Sequence, residues 1–184
     1  MRITGGRLRG RIVTCPPGVI RPAMDRMRES MFSILGSLEG LDFLDLFAGS
    51  GVVALEALSR GASSALLVEK DGGKRQTIKK NLSLMQTDPN FHPGSAKLVI
   101  SPVQRVLKPG MKRYHVVHLD PPFPMPGKDK LLALAEEAGQ PAPEGTLMIH
   151  YPSEDTLPET SGALRLYDQR AYGRSLLAFY TRDN

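Results

Sequence analysis

The sequence of 184 residues contains a single cysteine, Cys15, and four histidines that lack the spacing of metal ligands. One cysteine cannot form an internal disulfide or a multi-cysteine zinc site. No run approaches the roughly 18 consecutive apolar residues of a membrane span. The first residues carry charge but no apolar segment of the kind that directs secretion. These absences predict a cytoplasmic protein without a bound metal, and the length predicts one main domain.

Positive charge is concentrated at the start of the chain. The first 30 residues hold seven arginines against Asp25 and Glu29, whereas the rest of the chain has 17 basic and 17 acidic side chains. Arginine binds phosphate oxygens in pairs and stacks on bases. A solvated, solubilising arm is the commoner meaning of such a cluster, but its place ahead of a neutral chain favours a nucleic-acid contact. The candidate residues are Arg7, Arg9, Arg11, Arg26 and Arg28.

Apolar runs and helical patterns alternate through the middle of the chain, which predicts an α/β fold with a parallel sheet covered on both faces. The expected strands are residues 41–47, 65–68, 96–100, 114–119 and 145–150, followed by a hairpin over 163–181. The expected helices are 24–35, 51–60, 73–85, 103–107 and 131–138. This order is typical of the Rossmann-like, seven-stranded sheet of methyltransferases. Residues 1–20 are expected to form a small basic β-hairpin outside the main domain, which covers 21–184.

A glycine-rich segment, Asp45-Leu46-Phe47-Ala48-Gly49-Ser50-Gly51, joins the first of these strands to its helix. Glycines permit a sharp turn there and leave room for a ligand. Gly49-x-Gly51-x-x-Ala54 also fits the dinucleotide fingerprint, so a dehydrogenase is an alternative. The Asp45 carboxylate would repel a pyrophosphate, however, and it suits the ammonium group of a methionine moiety. Glu69 ends the next strand, where it can accept hydrogen bonds from both hydroxyls of a ribose.

These features favour S-adenosylmethionine as the cofactor. The predicted cofactor residues in this region are Asp45, Phe47, Ala48, Gly49, Ser50, Gly51, Glu69 and Lys70. Val103, which follows the third expected strand, is a weaker candidate for the rim of the adenine site.

A second motif, Asp120-Pro121-Pro122-Phe123, follows the apolar run 114–119. A carboxylate and a peptide carbonyl can accept both N–H bonds of an exocyclic amine, and an aromatic ring can stack on its base. The alternative is a purely structural, proline-rich turn whose phenylalanine belongs to the core. Guanine is mildly favoured, because N1–H and N2–H lie side by side and an acceptor-only carboxylate can take both. Adenine stays open as the acceptor.

The chain closely resembles the RsmD family of bacterial 16S rRNA guanine-N2 methyltransferases over nearly its whole length. The specific blocks are Ile3-Thr4-Gly5-Gly6 with Arg9-Gly10-Arg11, and Arg21-Pro22-Ala23-Met24-Asp25-Arg26-Met27-Arg28-Glu29. The two motifs described above also match, but many methyltransferases share them. Ala23 and Met24 depart from the pattern, since the family usually has hydroxyl residues at these two positions.

The resemblance implies a methyl transfer from S-adenosylmethionine to a guanine of 16S rRNA, in an assembled or partly assembled small ribosomal subunit. It implies that Asp120, Pro121, Pro122 and Phe123 are the catalytic residues. It also implies that the segment holding Arg21, Pro22 and Asp25 lies near the methionine end of the cofactor. We expect the protein to act as a monomer.

Three alternatives remain open at this point. The first is an adenine-N6 methyltransferase acting on DNA or RNA, which the Asp120 motif permits. The second is pyrimidine C5 methylation, which needs a cysteine nucleophile; Cys15 lies in the N-terminal segment and is more simply incidental. The third is a non-catalytic rRNA-binding assembly factor with a methyltransferase fold.

Overall fold

A computed structural model describes residues 1–15, 23–92 and 95–183, without the side chains of Ala23 and Met24. The chain divides into two compact units, Met1–Ser101 and Pro102–Asn184. Two of the predicted cofactor residues, Arg21 and Pro22, lie outside the described residues, as does the expected boundary between residues 20 and 21.

The first unit contains three parallel strands in the order β3-β2-β1. They are β1 (Asp42–Leu46), β2 (Ser64–Glu69) and β3 (Ala96–Ile100). The helices are α1 (Ala23–Leu35), α2 (Val52–Ser59) and α3 (Arg75–Leu82). Leu44, Leu46 and Leu67 are fully buried in this sheet. β1 and β2 are mostly buried, as the strands of a covered parallel sheet usually are, whereas the residues of β3 are half-buried or exposed.

The N-terminal residues 1–15 form a short antiparallel pairing with a bridge between Arg2 and Ile12. This segment is anchored in the first unit, because Ile3, Leu8 and Val13 are buried. The backbone N–H of Arg7 donates to the Ser59 carbonyl at 2.8 Å, at the end of α2. The side chains of Ile3, Leu8 and Val13 therefore join the core, whereas Ile12 and the arginines of the segment are exposed.

The second unit contains five strands in the order β4-β5-β8-β7-β6. They are β4 (Val116–Leu119), β5 (Thr146–Pro152), β6 (Thr160–Ser161), β7 (Leu164–Tyr172) and β8 (Ser175–Arg182), with helices α4 (Val103–Val106) and α5 (Lys128–Glu137). β4 and β5 are parallel, whereas β8 runs antiparallel to both β5 and β7. The long terminal hairpin predicted from alternating residues is thus confirmed.

The α/β fold with a parallel core is also confirmed, but the predicted strand count is wrong by one. The described residues hold eight strands, and the additional one, β6, has two residues paired with the start of β7. A two-residue strand is too short to show a periodic pattern in the sequence. The expected helix 73–85 ends earlier, since α3 stops at Leu82 and a 3-10 turn covers Ser83–Thr87. No helix among the described residues is long and apolar enough to cross a membrane.

Candidate active site

The glycine-rich loop leaves the carboxyl end of β1 and enters α2. Because Leu46 pairs with Val68 in a parallel register, the ends of β1 and β2 lie level, at the edge where open α/β sheets bind ligands. The backbone of Phe47 is left-handed, with φ of 67°. Such a conformation is uncommon for a bulky residue and is often found at functional sites. Phe47 itself is half-buried.

Gly51 is required at the start of α2 for two reasons. Its φ is +78°, and a Cβ placed there would lie 3.1 Å from Leu67 Cδ2 and 3.3 Å from Ile78 Cγ2. A side chain would therefore strain the backbone and press on two buried residues. The loop can pass close to the sheet only with glycine at this position.

Glu69 ends β2 and binds the loop directly. Its Oε2 accepts a hydrogen bond from the backbone N–H of Gly49 at 2.9 Å, and its Oε1 accepts one from the N–H of Asp71 at 2.9 Å. Lys74 Nζ lies 3.4 Å from Oε2. A carboxylate offers about four acceptor positions, so three donors leave room for one more. A ribose that donates both hydroxyls to Glu69 would displace one of these donors, and Lys74, at the longest distance, is the simplest to displace.

Asp45 lies in β1 and is 1% exposed. Its Oδ2 accepts from the backbone N–H of Ala54, near the start of α2, at 3.3 Å. A carboxylate close to a helix N-terminus is favoured by the helix dipole. The structure thus brings Asp45, the glycine loop and Glu69 together in one unit.

The other predicted cofactor residues lie in varied places. Ala48 and Ser50 are buried in the loop, whereas Lys70 is exposed just after Glu69. Asp25 lies in the first turn of α1, where it is partly exposed and pairs with Arg28 at 3.0 Å. Val103 belongs to the second unit, where it is buried at the first position of α4.

A residue that the sequence did not indicate, Asn81, supports the loop from α3. Its Nδ2 donates to the Ser50 carbonyl at 2.8 Å and to the Thr14 carbonyl at 2.7 Å. Its Oδ1 accepts from the Thr14 N–H at 2.9 Å. This buried amide joins the N-terminal segment, α3 and the cofactor loop by three hydrogen bonds.

In the second unit, the motif that begins at Asp120 starts immediately after β4. The Asp120 side chain is 28% exposed, Pro121 is buried, Pro122 is exposed and Phe123 is half-buried. The two prolines have fixed φ angles and lack N–H donors, which stiffens the turn. The loop therefore offers a carboxylate, a carbonyl and a ring in a short rigid segment.

His150, from β5, holds Asp120 in place. Its Nδ1 lies 2.8 Å from Asp120 Oδ1. Burial of the Asp120 carboxyl raises its pKa, but the hydrogen bond from His150 and the electrostatic attraction of His150 and His118 outweigh that effect. The pKa of Asp120 consequently lies below its usual value. Asp120 is thus an ionised hydrogen-bond acceptor at neutral pH.

Lys128 braces the same loop from the start of α5. Its side chain is 3% exposed. Nζ donates to the carbonyls of Phe123 and Met125, each at 2.8 Å, and pairs with the Asp155 carboxylate at 2.5 Å. Neither His150 nor Lys128 had been predicted, because both act on residues that are not their neighbours in a motif.

The five arginines predicted to bind RNA do not share one environment. Arg9, Arg11 and Arg26 are exposed. Arg7 is exposed too, but its Nε binds the buried carboxylate of Asp88 at 2.5 Å. The Asn90 N–H and Arg7 hold the pKa of Asp88 below its usual value, even though burial acts in the opposite direction.

Arg28 is inconsistent with the prediction of an RNA contact. Its side chain is 3% exposed, and Nε binds Glu56 Oε2 at 2.7 Å. A guanidinium withdrawn from solvent cannot reach a phosphate on the surface. The sequence could not separate this arginine from its neighbours, since its partner Glu56 is far along the chain.

The structure also shows a basic surface that the sequence analysis missed. The exposed side of α3 carries Arg75, Lys79 and Lys80, and no acidic residue occurs in the segment 72–87. The neutral total charge after residue 30 concealed this local excess. The α3 surface adjoins the N-terminal segment through the hydrogen bonds between Thr14 and Asn81.

The chain is similar to known proteins over its whole length. The profile of a family described as Conserved hypothetical protein 95 matches residues 1–181. Ribosomal RNA small subunit methyltransferase D of Escherichia coli is 33% identical over 100% of this chain and 90% of its own length. YlbH of Bacillus subtilis is 32% identical over 99% of both chains. The solved structure of yhhF from Escherichia coli superposes with a TM-score of 0.84, at 33% identity, over 100% of this chain and 98% of that one.

The matched residues 1–181 include the glycine-rich loop after β1 and the acidic, proline-rich turn after β4. The chain is therefore a methyltransferase and belongs to the RsmD family of rRNA methyltransferases.

Proposed function

We propose that this enzyme transfers the methyl group of S-adenosylmethionine to the exocyclic N2 of a guanine in 16S rRNA. The acceptor is presented by an assembled or partly assembled small ribosomal subunit in the cytoplasm, and the enzyme acts as a monomer. The relative from Escherichia coli is named for the small subunit rRNA, which supports the choice of substrate. The observation that carries the proposal is the ionised Asp120 carboxylate at the carboxyl end of β4, held by His150.

On the donor side, we assign the cofactor to the glycine loop of the first unit. Asp45 would hold the ammonium group of the methionine moiety, and Glu69 would accept the ribose hydroxyls. Gly49 and Gly51 would let the backbone approach the ligand. We also assign contacts to Phe47, Ala48, Ser50, Lys70, Asp25 and Val103, and to Arg21 and Pro22, which lie outside the described residues.

On the acceptor side, Asp120 and the Pro121 carbonyl would accept hydrogen bonds from the base. An exocyclic amine is a weak nucleophile because its lone pair is delocalised into the ring. Two acceptors arranged around its N–H bonds favour a tetrahedral nitrogen whose lone pair can attack. Phe123 would stack on the base, and Pro122 would keep the turn rigid. Stacking contributes about 1–3 kcal/mol per base, comparable with the cost of removing a base from its helix.

The reaction balances without another reactant. The amine lone pair forms a bond to the methyl carbon, and the sulfur–methyl bond pair stays on sulfur, which becomes a neutral thioether. The nitrogen then loses one proton, for which Asp120 is the nearest assigned base. An ionised Asp120 favours guanine over adenine, because guanine offers two adjacent N–H donors whereas N1 of adenine would direct a lone pair at the carboxylate.

We further propose that the RNA backbone is bound by the exposed arginines Arg7, Arg9, Arg11 and Arg26 and by the α3 surface. Arg75, Lys79 and Lys80 would extend the positive surface beyond the N-terminal segment. Positively charged side chains attract phosphates irrespective of sequence, which suits a folded RNA that is recognised by shape.

The decisive experiment measures methyl transfer to small subunits from cells that lack a family member. Wild-type protein should produce N2-methylguanosine, identified by mass spectrometry of nucleosides from the 16S rRNA. Asp120→Asn should abolish turnover, because the amide both loses the charge and directs a donor at the base, while S-adenosylmethionine binding stays unchanged. Formation of N6-methyladenosine, or transfer to duplex DNA alone, would contradict the proposal. Transfer by the Asp120→Asn variant would remove Asp120 from the acceptor site.

A further inference from the structure

We propose that His150 is a positioning residue that fixes both the hydrogen-bond acceptor and the stacking ring of the acceptor site. This inference rests on the proposed function of Asp120 and Phe123. His150 is 5% exposed and lies near the end of β5. None of the motifs recognised in the sequence contains it.

The parallel register explains why His150 reaches Asp120. Leu119 in β4 pairs with Ile149 in β5, so the next residue of each strand, Asp120 and His150, lie side by side. Nδ1 of His150 is 2.8 Å from Asp120 Oδ1. One carboxylate oxygen is thereby held in a fixed direction, and Oδ2 is assigned to the base.

The same imidazole contacts the proposed stacking ring. The ring centroids of Phe123 and His150 are 5.0 Å apart, with an interplanar angle of 64°, which is an edge-to-face arrangement. Such pairs have a preferred geometry and resist reorientation. A single buried side chain therefore sets the direction of the carboxylate and the tilt of the aromatic ring.

The proton on His150 can be assigned from its surroundings. Asp120 is ionised and only accepts, so Nδ1 must donate. Nε2 is buried and has no hydrogen-bond partner within the described part of the chain. Protonating Nε2 would bury a second N–H without an acceptor, which is unfavourable. Nδ1 of His150 is thus assigned as the donor of the hydrogen bond to Asp120.

The pH dependence follows from the groups around Asp120. His150 faces it from β5, and His118 lies two residues before it on the same side of β4. The hydrogen bond from His150 helps to keep the pKa of Asp120 low against the effect of burial. Without that bond, burial would dominate and Asp120 would be protonated at a higher pH. The acid limb of the activity profile should then move to higher pH.

Two variants separate the hydrogen bond that His150 donates to Asp120 from the contact of its ring with Phe123. His150→Phe keeps an aromatic ring of similar size beside Phe123 but removes the donor. His150→Asn keeps a neutral N–H donor near the position of Nδ1 but removes the ring. We expect His150→Phe to lower kcat by about tenfold to a hundredfold, the scale of a misaligned reacting group, and to shift the acid limb to higher pH. His150→Asn should keep the acid limb and raise KM for the subunit.

If His150 served only to pack against Phe123, the two variants would rank in the opposite order of damage. His150→Phe would then be tolerated, His150→Asn would be the damaging change, and the pH profile would not move. Wild-type kcat and an unshifted acid limb in His150→Phe would overturn the inference. Binding of S-adenosylmethionine and the thermal midpoint of each variant serve as folding controls.

A measurement on the unaltered protein does not depend on how the variants fold. Nitrogen NMR of histidine-labelled enzyme at pH 8, with the His150 signal assigned by its loss in His150→Phe or by through-bond connectivity, should show the proton on Nδ1. A proton on Nε2 would overturn the inference. If Asp120→Asn remains active, the proposed function itself fails. If Asp120→Asn is inactive while His150→Phe behaves as wild type, only the role of His150 fails.

Discussion

The guanidinium of Arg28 and the carboxylate of Glu56 form a buried ion pair, with 2.7 Å between Nε and Oε2 and side-chain exposures of 3% and 0%. Arg28 also donates to the Arg2 carbonyl, and Glu56 accepts from Thr4 and Arg60. The pair therefore joins α1, α2 and the N-terminal segment. Because these groups are desolvated, each depends on the other for compensation.

Arg28→Ala should destabilise the protein without altering its contact with RNA. Breaking a buried pair costs about 3–5 kcal/mol of the free energy of unfolding when the remaining charge has no other partner. Glu56 keeps its ion pair with Arg60, at 2.8 Å, so we expect the lower end of that range. Urea denaturation measures this loss. Arg26→Ala is the matched control, since Arg26 is exposed in the same helix. The structural role would be wrong if Arg28→Ala unfolded at the wild-type urea concentration while its affinity for subunits fell.

The α3 surface predicts a specific salt dependence of RNA binding. Each lost phosphate contact reduces the slope of log affinity against log salt by about 0.7–0.9. Lys79→Ala combined with Lys80→Ala should therefore reduce the slope by up to about twice that amount, as should Arg9→Ala combined with Arg11→Ala. Binding of S-adenosylmethionine should not change in either variant.

Arg165→Ala provides the control for this salt titration. Arg165 is an exposed arginine in β7 that pairs with Asp183, and it belongs neither to the N-terminal segment nor to the α3 surface. Its removal should leave the slope at the wild-type value. Equal slopes for wild type and the α3 double variant would mean that Lys79 and Lys80 are only a solvated helix surface, and the RNA contact would then be confined to the N-terminal segment.

The sequence could predict the parts of the site that are formed by consecutive residues. The glycine loop after β1 and the turn after β4 each follow a buried apolar strand, so the ends of those strands locate the motifs. Glu69 could be placed in the same way, because it ends the next parallel strand. Local pattern and strand order were sufficient for these residues.

The parts that sequence could not predict depend on distant contacts. The sequence alone does not distinguish Arg26 from Arg28. Arg28 has a structural role because the fold places Glu56, in α2, against it. His150 becomes relevant to Asp120 through the register of β4 with β5, and register is not written in either strand alone. Asn81 likewise acquires its role because its amide meets Thr14 and Ser50, which are far from it in sequence.

Gly51→Ala should weaken binding of S-adenosylmethionine. The left-handed backbone disfavours a Cβ by about 1–2 kcal/mol, and contact with Leu67 and Ile78 adds to that cost. We expect the dissociation constant to rise by about tenfold or more, since 1.4 kcal/mol corresponds to about a factor of ten. Isothermal titration calorimetry measures this change.

Gly40→Ala separates loop distortion from backbone strain. Gly40 also has a positive φ, of 76°, but a Cβ there meets nothing within 4 Å. This variant should lose a similar amount of stability from the backbone and bind the cofactor normally. If Gly51→Ala bound S-adenosylmethionine as tightly as Gly40→Ala, the loop would not be the cofactor site that we propose.

Lys128 offers a test of whether the acceptor loop must be rigid. A buried cation in the first turn of a helix is opposed by the helix dipole, so its three hydrogen bonds must compensate for that cost. Lys128→Met keeps the aliphatic stem but releases the carbonyls of Phe123 and Met125.

We expect Lys128→Met to lower kcat/KM for the subunit by about tenfold or more, the scale of a misplaced reacting group, with cofactor affinity unchanged. Lys130 is an exposed lysine two residues further along α5, and Lys130→Met should behave as wild type. Steady-state methyl transfer and calorimetry on the same preparations distinguish the two effects. Full activity in Lys128→Met would mean that the loop keeps its position without the hydrogen bonds from Lys128.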